Sequence, residues 1–179
     1  MKILRIILLF GILVALVPVK SYALIDIGAY GGYSFENKVK TSDGELKTQG
    51  FGFGFIGHYN MTVIPMVLSI GIGPYYEKFY LNYKWYSVKS DYDLQTVGLD
   101  VFAMLELPIV VHPFVRASVA VWEQTQKNND YFRSFSFGPG VGFDILILQI
   151  YTEYLFNTSK QRGNDAYGHT INLGIRIRL

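Results

Sequence analysis

The stretch Thr170-Ile171-Asn172-Leu173-Gly174-Ile175-Arg176-Ile177-Arg178-Leu179 decides the fold. It alternates polar and apolar residues without a break. Successive side chains on a strand point to opposite faces, so Ile171, Leu173, Ile175, Ile177 and Leu179 make one apolar face. Thr170, Asn172, Gly174, Arg176 and Arg178 make the polar one. Chain ends of soluble domains tend to fray, whereas this strand runs two-faced to the last residue. A closed membrane barrel needs such a segment, because its last strand pairs with its first and leaves no edge in lipid.

The opposite end of the chain indicates the compartment. Lys2 and Arg5 precede the apolar run Ile6 to Val17, which only Gly11 interrupts, and Ser21-Tyr22-Ala23 offers small residues for cleavage. Residues 1–23 are therefore expected to be a secretory signal peptide, with residues 24–179 as the mature domain. The run is shorter than the roughly 20 residues a spanning helix needs, and no cysteine follows it for lipidation.

Removing Lys2, Arg5 and Lys20 with the signal leaves 13 of the 16 basic residues against 14 acidic ones. The mature chain is near neutral, which excludes the basic patch of a nucleic-acid binder. The chain has no cysteine, so no disulfide holds it together. Its 14 Tyr, 13 Phe and 18 Gly, with few helix signals and a secretory leader, point to an all-β protein of one domain.

Eight alternating segments are predicted: 24–35, 50–60, 66–80, 94–107, 114–122, 134–145, 149–157 and the closing stretch. One face carries residues such as Phe51, Phe53, Phe55, Val97, Leu99, Val101, Phe135 and Phe137; the other carries Gly, Ser, Asp, Glu and Arg. A soluble barrel would put the apolar face inside, so this polarity places lipid outside. The links alternate as well. Glu36–Thr48, Leu81–Asp93, Glu123–Arg133 and Thr158–Ala166 are long and charged, while Asn60–Pro65, Pro108–Pro113 and Ile145–Leu148 are short and uncharged. This is the meander of a membrane barrel, with short turns on the periplasmic side and long loops outside. Pro74 and Pro139 fall within strands and each follows a glycine, so bulges are expected there. The apolar turn Ile145-Leu146-Ile147-Leu148 reads as interfacial.

The run Gly138-Pro139-Gly140-Val141-Gly142-Phe143-Asp144, the run Thr152-Glu153-Tyr154 and the terminal strand resemble the last hairpins of the small eight-stranded outer-membrane barrels, the OmpX/OmpA-like barrel family. The resemblance covers the whole mature chain and includes no peptidoglycan-binding domain. It implies an all-β, eight-stranded antiparallel up-and-down transmembrane barrel in the bacterial outer membrane. It also implies outer-membrane lipid and lipopolysaccharide as surroundings and the outer-membrane assembly machinery as a partner. The family's closing strand usually ends in an aromatic residue that this machinery reads; here it ends in Leu179.

Asp26, Asp100, Glu106, Arg116, Asp144, Glu153, Arg176 and Arg178 fall on inward positions. Buried charges are costly unless paired, so these residues are expected to form one polar network toward the periplasmic end, with Glu106 facing Arg116. The network is either a structural plug or the lining of a narrow ion path. The plug is the better fit, since eight strands leave room for side chains and none for a channel. At the other end Tyr33, Phe35, Phe51, Tyr76, Phe79, Tyr80, Trp122, Phe135 and Phe156 suggest an interfacial girdle. Lys78, Tyr80, Tyr83, Lys84, Trp85, Tyr86, Lys89 and Tyr92 crowd the second long link and form a candidate binding surface for a lipopolysaccharide headgroup, a host protein or a glycan. Catalysis is not expected: His58, His112 and His169 have no nucleophile motif, and no metal or cofactor spacing is visible. The sequence is thus read as a structural or adhesive barrel, with a low-conductance pore and then a lipid-modifying enzyme as alternatives.

Overall fold

The computed structural model describes residues 24–41, 44–65, 67–85, 88–125, 133–161 and 164–179; residues 1–23, where a signal peptide is expected, lie outside the described residues. Eight antiparallel strands form a closed barrel: β1 Ile25–Thr41, β2 Gly44–Ile64, β3 Leu68–Trp85, β4 Val88–Leu105, β5 Val111–Thr125, β6 Arg133–Ile145, β7 Leu148–Gln161 and β8 Asn164–Arg178. Each strand pairs with its sequence neighbour, and β1 pairs with β8 to complete the ring. The seam runs from Asp26 opposite Arg178 to Val39 opposite Ala166. Alternation dictates the two surfaces. Ile27, Phe55, Leu99, Val115, Phe137 and Leu173 are exposed on the outer wall, whereas Tyr30, Phe102, Met104, Phe114 and Tyr151 are buried in the lumen. Such an outer wall is suited to lipid.

The strands are longer than the alternation alone predicts. Most of the expected long loops are paired backbone: β1 and β2 stay in register from Asn37 opposite Thr48 to Thr41 opposite Gly44, and β3 and β4 to Trp85 opposite Val88. Ladder hydrogen bonds do not require an apolar face, so pairing continues where the hydrophobic pattern has stopped. Irregularities accompany the change. β1 bulges between Ser34 and Asn37, where Glu36 has φ 51°, a left-handed value uncommon for a side chain larger than glycine.

The two prolines are accommodated without bulges. Pro74 lies opposite Leu99 and Pro139 opposite Val115 with no shift of register on either side. On the other edge of each strand the ladder is interrupted, between Tyr59–Ile72 and Ile56–Tyr75 for one and between Gly140–Glu153 and Phe137–Phe156 for the other. There the preceding glycine lets the neighbouring backbone close in. A Cβ on Gly73 would collide with the Gly57 carbonyl oxygen, and one on Gly138 with that of Tyr154. Close approach of the two backbones thus accompanies the break in the ladder where proline has no N–H to donate.

A true bulge lies in β5. Val97 pairs with Trp122 but Gly98 pairs with Ala120, so Val121 is the extra residue. Val121 and Trp122 both face outward, and the alternation reverses beyond them.

Candidate functional site

The eight ionisable residues assigned to the interior all project into the lumen, but seven of them form two groups instead of one, and Arg176 lies between, 3.9 Å from Asp26. In the upper group, Arg116 Nε donates to Asp100 Oδ2 at 2.7 Å and Nη1 donates to Glu153. His58 Nε2 lies 3.1 Å from the same Asp100 oxygen, and Asn172 Nδ2 donates to Glu153 at 2.8 Å. In the lower group, nearer the short turns, Arg178 Nη2 donates to Glu106 at 2.6 Å and Nη1 to Asp144 at 3.2 Å. Arg178 Nε is 3.7 Å from Asp26, Ser69 donates to Glu106 at 2.9 Å, and His112 Nε2 lies 3.3 Å from Asp144. The acid of the first strand and the arginines of the last do meet across the seam.

Glu106 and Arg116 do not face each other. Arg116 lies opposite Phe102 across the β4–β5 ladder, four residues above Glu106, or about 13 Å along a strand. The intervening volume is filled by a layer of Phe102, Met104, Phe114 and Tyr151. Arg176 sits within that layer. Its guanidinium lies 4.6, 5.2 and 5.3 Å from the ring centroids of Phe102, Phe114 and Tyr151, and its Nε donates to Gln149 at 2.6 Å. A planar, weakly hydrated cation stacked on desolvated rings contributes up to about 2 kcal/mol per good contact, which offsets part of its own burial.

Among the described residues, two further histidines and two further carboxylates belong to this interior. His58 and His112 have no sequence motif, yet each is buried against carboxylates, with His112 Nδ1 also 3.2 Å from the Leu105 carbonyl oxygen. Glu77 accepts from the Tyr30 hydroxyl at 3.0 Å. Glu123, placed by alternation in a loop, is turned inward by the Val121 bulge and accepts from Thr96 at 3.4 Å. The doublet Val121-Trp122, two large apolar residues side by side before an acid, is the sequence signal that marks the reversal. Among the described inward residues, Asp26, Glu77, Asp100, Glu106, Glu123, Asp144 and Glu153 outnumber Arg116, Arg176 and Arg178. The lumen is acid-rich.

At the hairpin end, Lys78 and Tyr80 share the outward face of β3. Lys78 Nζ is 3.0 Å from Asp93 and 4.9 Å over the Tyr80 ring. Tyr86 lies outside the described residues, as do the side chains of Tyr83, Lys84, Trp85, Lys89 and Tyr92, whose backbones belong to the paired ends of β3 and β4. Of the expected girdle, Phe79 instead packs inside, because it shares the parity of Tyr75 and Glu77. On the outer wall His169 is stacked between Phe35 and Tyr154 at 5.7 and 5.6 Å, with Phe156 edge-on at 5.5 Å. No grouping of three or more potential metal ligands occurs among the described residues.

No family model matches the sequence, and no curated protein matches it. Solved structures do. The neisserial surface protein A is similar over 87% of this chain and 97% of its own, with 16% identity and a TM-score of 0.63. Ail, the attachment invasion locus protein of Yersinia pestis, covers 86% of this chain and 98% of its own at 12% identity and a TM-score of 0.49. The outer-membrane protease OmpT of Escherichia coli covers 91% and 100% at 7% identity and a TM-score of 0.45. The likeness to the neisserial protein concerns the fold, and it agrees with the strand number, the closure and the apolar outer wall. The chain has the fold of the small eight-stranded outer-membrane β-barrels.

Proposed function

We propose that this outer-membrane barrel is a closed scaffold whose lumen is a structural plug and whose outer hairpins carry an adhesive surface. The carrying observation is the cross-section at Arg176, where Phe102, Met104, Phe114 and Tyr151 are buried around a guanidinium that contacts three of the rings. An ion would have to displace that layer. Reconstituted protein should give no discrete conductance steps in planar-bilayer recording. Steps that vanish in Glu106→Gln or Arg116→Met would overturn the plug. The pore reading has one observation in its favour, the acid excess of the lumen, and it requires such steps to be cation-selective.

The surface reading centres on Lys78 and Tyr80, held together on a rigid ladder, with lipopolysaccharide, a host protein or a glycan as ligand. The Lys78–Asp93 pair is the element a ligand anion would compete with. Binding of lipopolysaccharide to protein in phospholipid nanodiscs should weaken in the double variant Lys78→Ala, Tyr80→Ala; unchanged binding would remove this patch as the site. We assign the chain no catalytic role, since His58 and His112 are tied to carboxylates and His169 is packed among rings. The outer-membrane assembly machinery would read β8, whose alternation continues to Leu179. Loss of lipid A or phospholipid hydrolysis in His169→Ala, were any hydrolysis found, would reverse the non-catalytic assignment.

A further inference from the structure

The described residues of the barrel's short-turn end form an outer rim that is mostly apolar, with Thr62 an exposed polar side chain among them. Among the described residues of the three links and the adjoining chain end, Leu24, Val63, Ile64, Val67, Ile109 and Val110 are all about half exposed or more. The β6–β7 turn, Leu146-Ile147, is more extreme: Leu146 is 97% exposed. The charged side chains nearest this rim among the described residues, Arg178, Glu106 and Asp144, are turned into the lumen and paired with one another.

The vertical dimensions locate this rim. At the hairpin end the apolar wall stops at a collar of charged and aromatic groups, including Lys78 with Asp93 and Tyr80, and Tyr154 with His169. A strand tilted about 40° climbs about 2.5 Å per residue along the membrane normal, so the descent from His169 to Leu179 covers about 25 Å, the height of a barrel's apolar band. The Lys78–Leu68 descent on β3 has the same length. With the collar at the outer interface, the strand ends and turns therefore fall at the inner boundary of the bilayer. The exposed apolar wall continues into the turns, where Thr62 is an exposed polar residue beside Val63 and Ile64.

Leu146 supplies an independent observation. Its φ is 58°, at the first central position of a two-residue turn between Ile145 and its partner Leu148. Glycine or asparagine is favoured at such a position, and a branched apolar side chain there strains the backbone. A strained residue whose side chain meets nothing in the protein is explained if that side chain meets something outside it.

We propose that the short-turn end is a lipid-binding surface: Leu146, Ile147, Ile109, Val110, Val63 and Ile64 are embedded in the periplasmic leaflet. They anchor the barrel by its base, and the turns do not project into the periplasm. The chain lacks cysteine, so single nitroxide labels can be placed directly. Leu146→Cys and Val110→Cys, with Val119→Cys on the lipid-facing wall and Glu45→Cys in an outer hairpin as references, are to be labelled in phosphatidylethanolamine–phosphatidylglycerol vesicles. The proposal expects the ratio of oxygen to nickel-chelate collision at 146 and 110 to match that at 119 and to exceed that at 45. A ratio equal to that at 45 would overturn it. Spin–spin broadening at 146 would overturn it in favour of contact between two copies. Heat-modifiable migration selects the folded fraction of each variant.

Discussion

Arg116 holds two carboxylates at once, and among the described residues no other arginine or lysine lies within hydrogen-bonding range of Asp100 or Glu153. Arg116→Met should therefore destabilise the barrel by about 3–5 kcal/mol, the usual cost of leaving buried charge unpaired. The urea midpoint of unfolding in detergent or vesicles measures it, and a change below about 1 kcal/mol would show that the pair is hydrated in the bilayer. Gly138→Val should be harsher, because the new side chain starts inside the Tyr154 carbonyl; the expected outcome is loss of the heat-modifiable form. At this scale the sequence was informative where alternation was regular. All eight interior ionisable residues assigned from it project inward. It missed Glu123 because one inserted residue, Val121, reverses the faces, and it mispaired Glu106 because parity fixes the side of a strand and not the height of a neighbour. The lone histidines were illegible for the same reason: His58 finds Asp100 only through the β2-to-β4 proximity that closure creates.

The elements obey two sets of rules along their length. Within the band, apolar-out alternation fixes the register, since a one-residue slip would turn charges to lipid. Above it, β1 with β2 and β3 with β4 continue as ladders with polar residues on both faces, and side-chain pairs such as Lys38 with Glu45 at 3.4 Å replace burial. Hydrophobic pattern could not reveal those extensions because backbone pairing continues where the apolar-out alternation has ended. The Val121 bulge sits at the junction of the two regimes. Deleting Val121 would restore simple alternation while leaving Trp122 outward and Glu123 inward, so the shortened chain should still fold and shift on heating. Failure to do so would mean that the extra twist of the bulge, and not merely the facing of Glu123, is needed for closure.

For the whole molecule, closure is the organising fact. The β1–β8 seam places Ala29 opposite Ile175 on the outer wall. In a chain without cysteine, the double variant Ala29→Cys, Ile175→Cys should oxidise readily, since opposed strand positions hold their Cβ atoms about 4.5–5.5 Å apart. The cross-linked form should keep a compact migration after boiling and lose it on reduction; no cross-link would place the seam in another register. Fold class, strand number and the polarity of the wall could be read from the sequence because each depends on local alternation. The split of the lumen by an aromatic layer could not, because it depends on the stagger of eight strands at once.

The paired outer hairpins have a consequence for immune recognition. Residues that look like free loops in the sequence are presented on paired strands, with alternate backbone amides of each hairpin engaged across its ladder. Linear peptides copied from 36–48 or 81–93 would lack that shape. Antibodies raised against the folded protein should bind conformational epitopes spanning both strands of a hairpin, and should lose them on boiling.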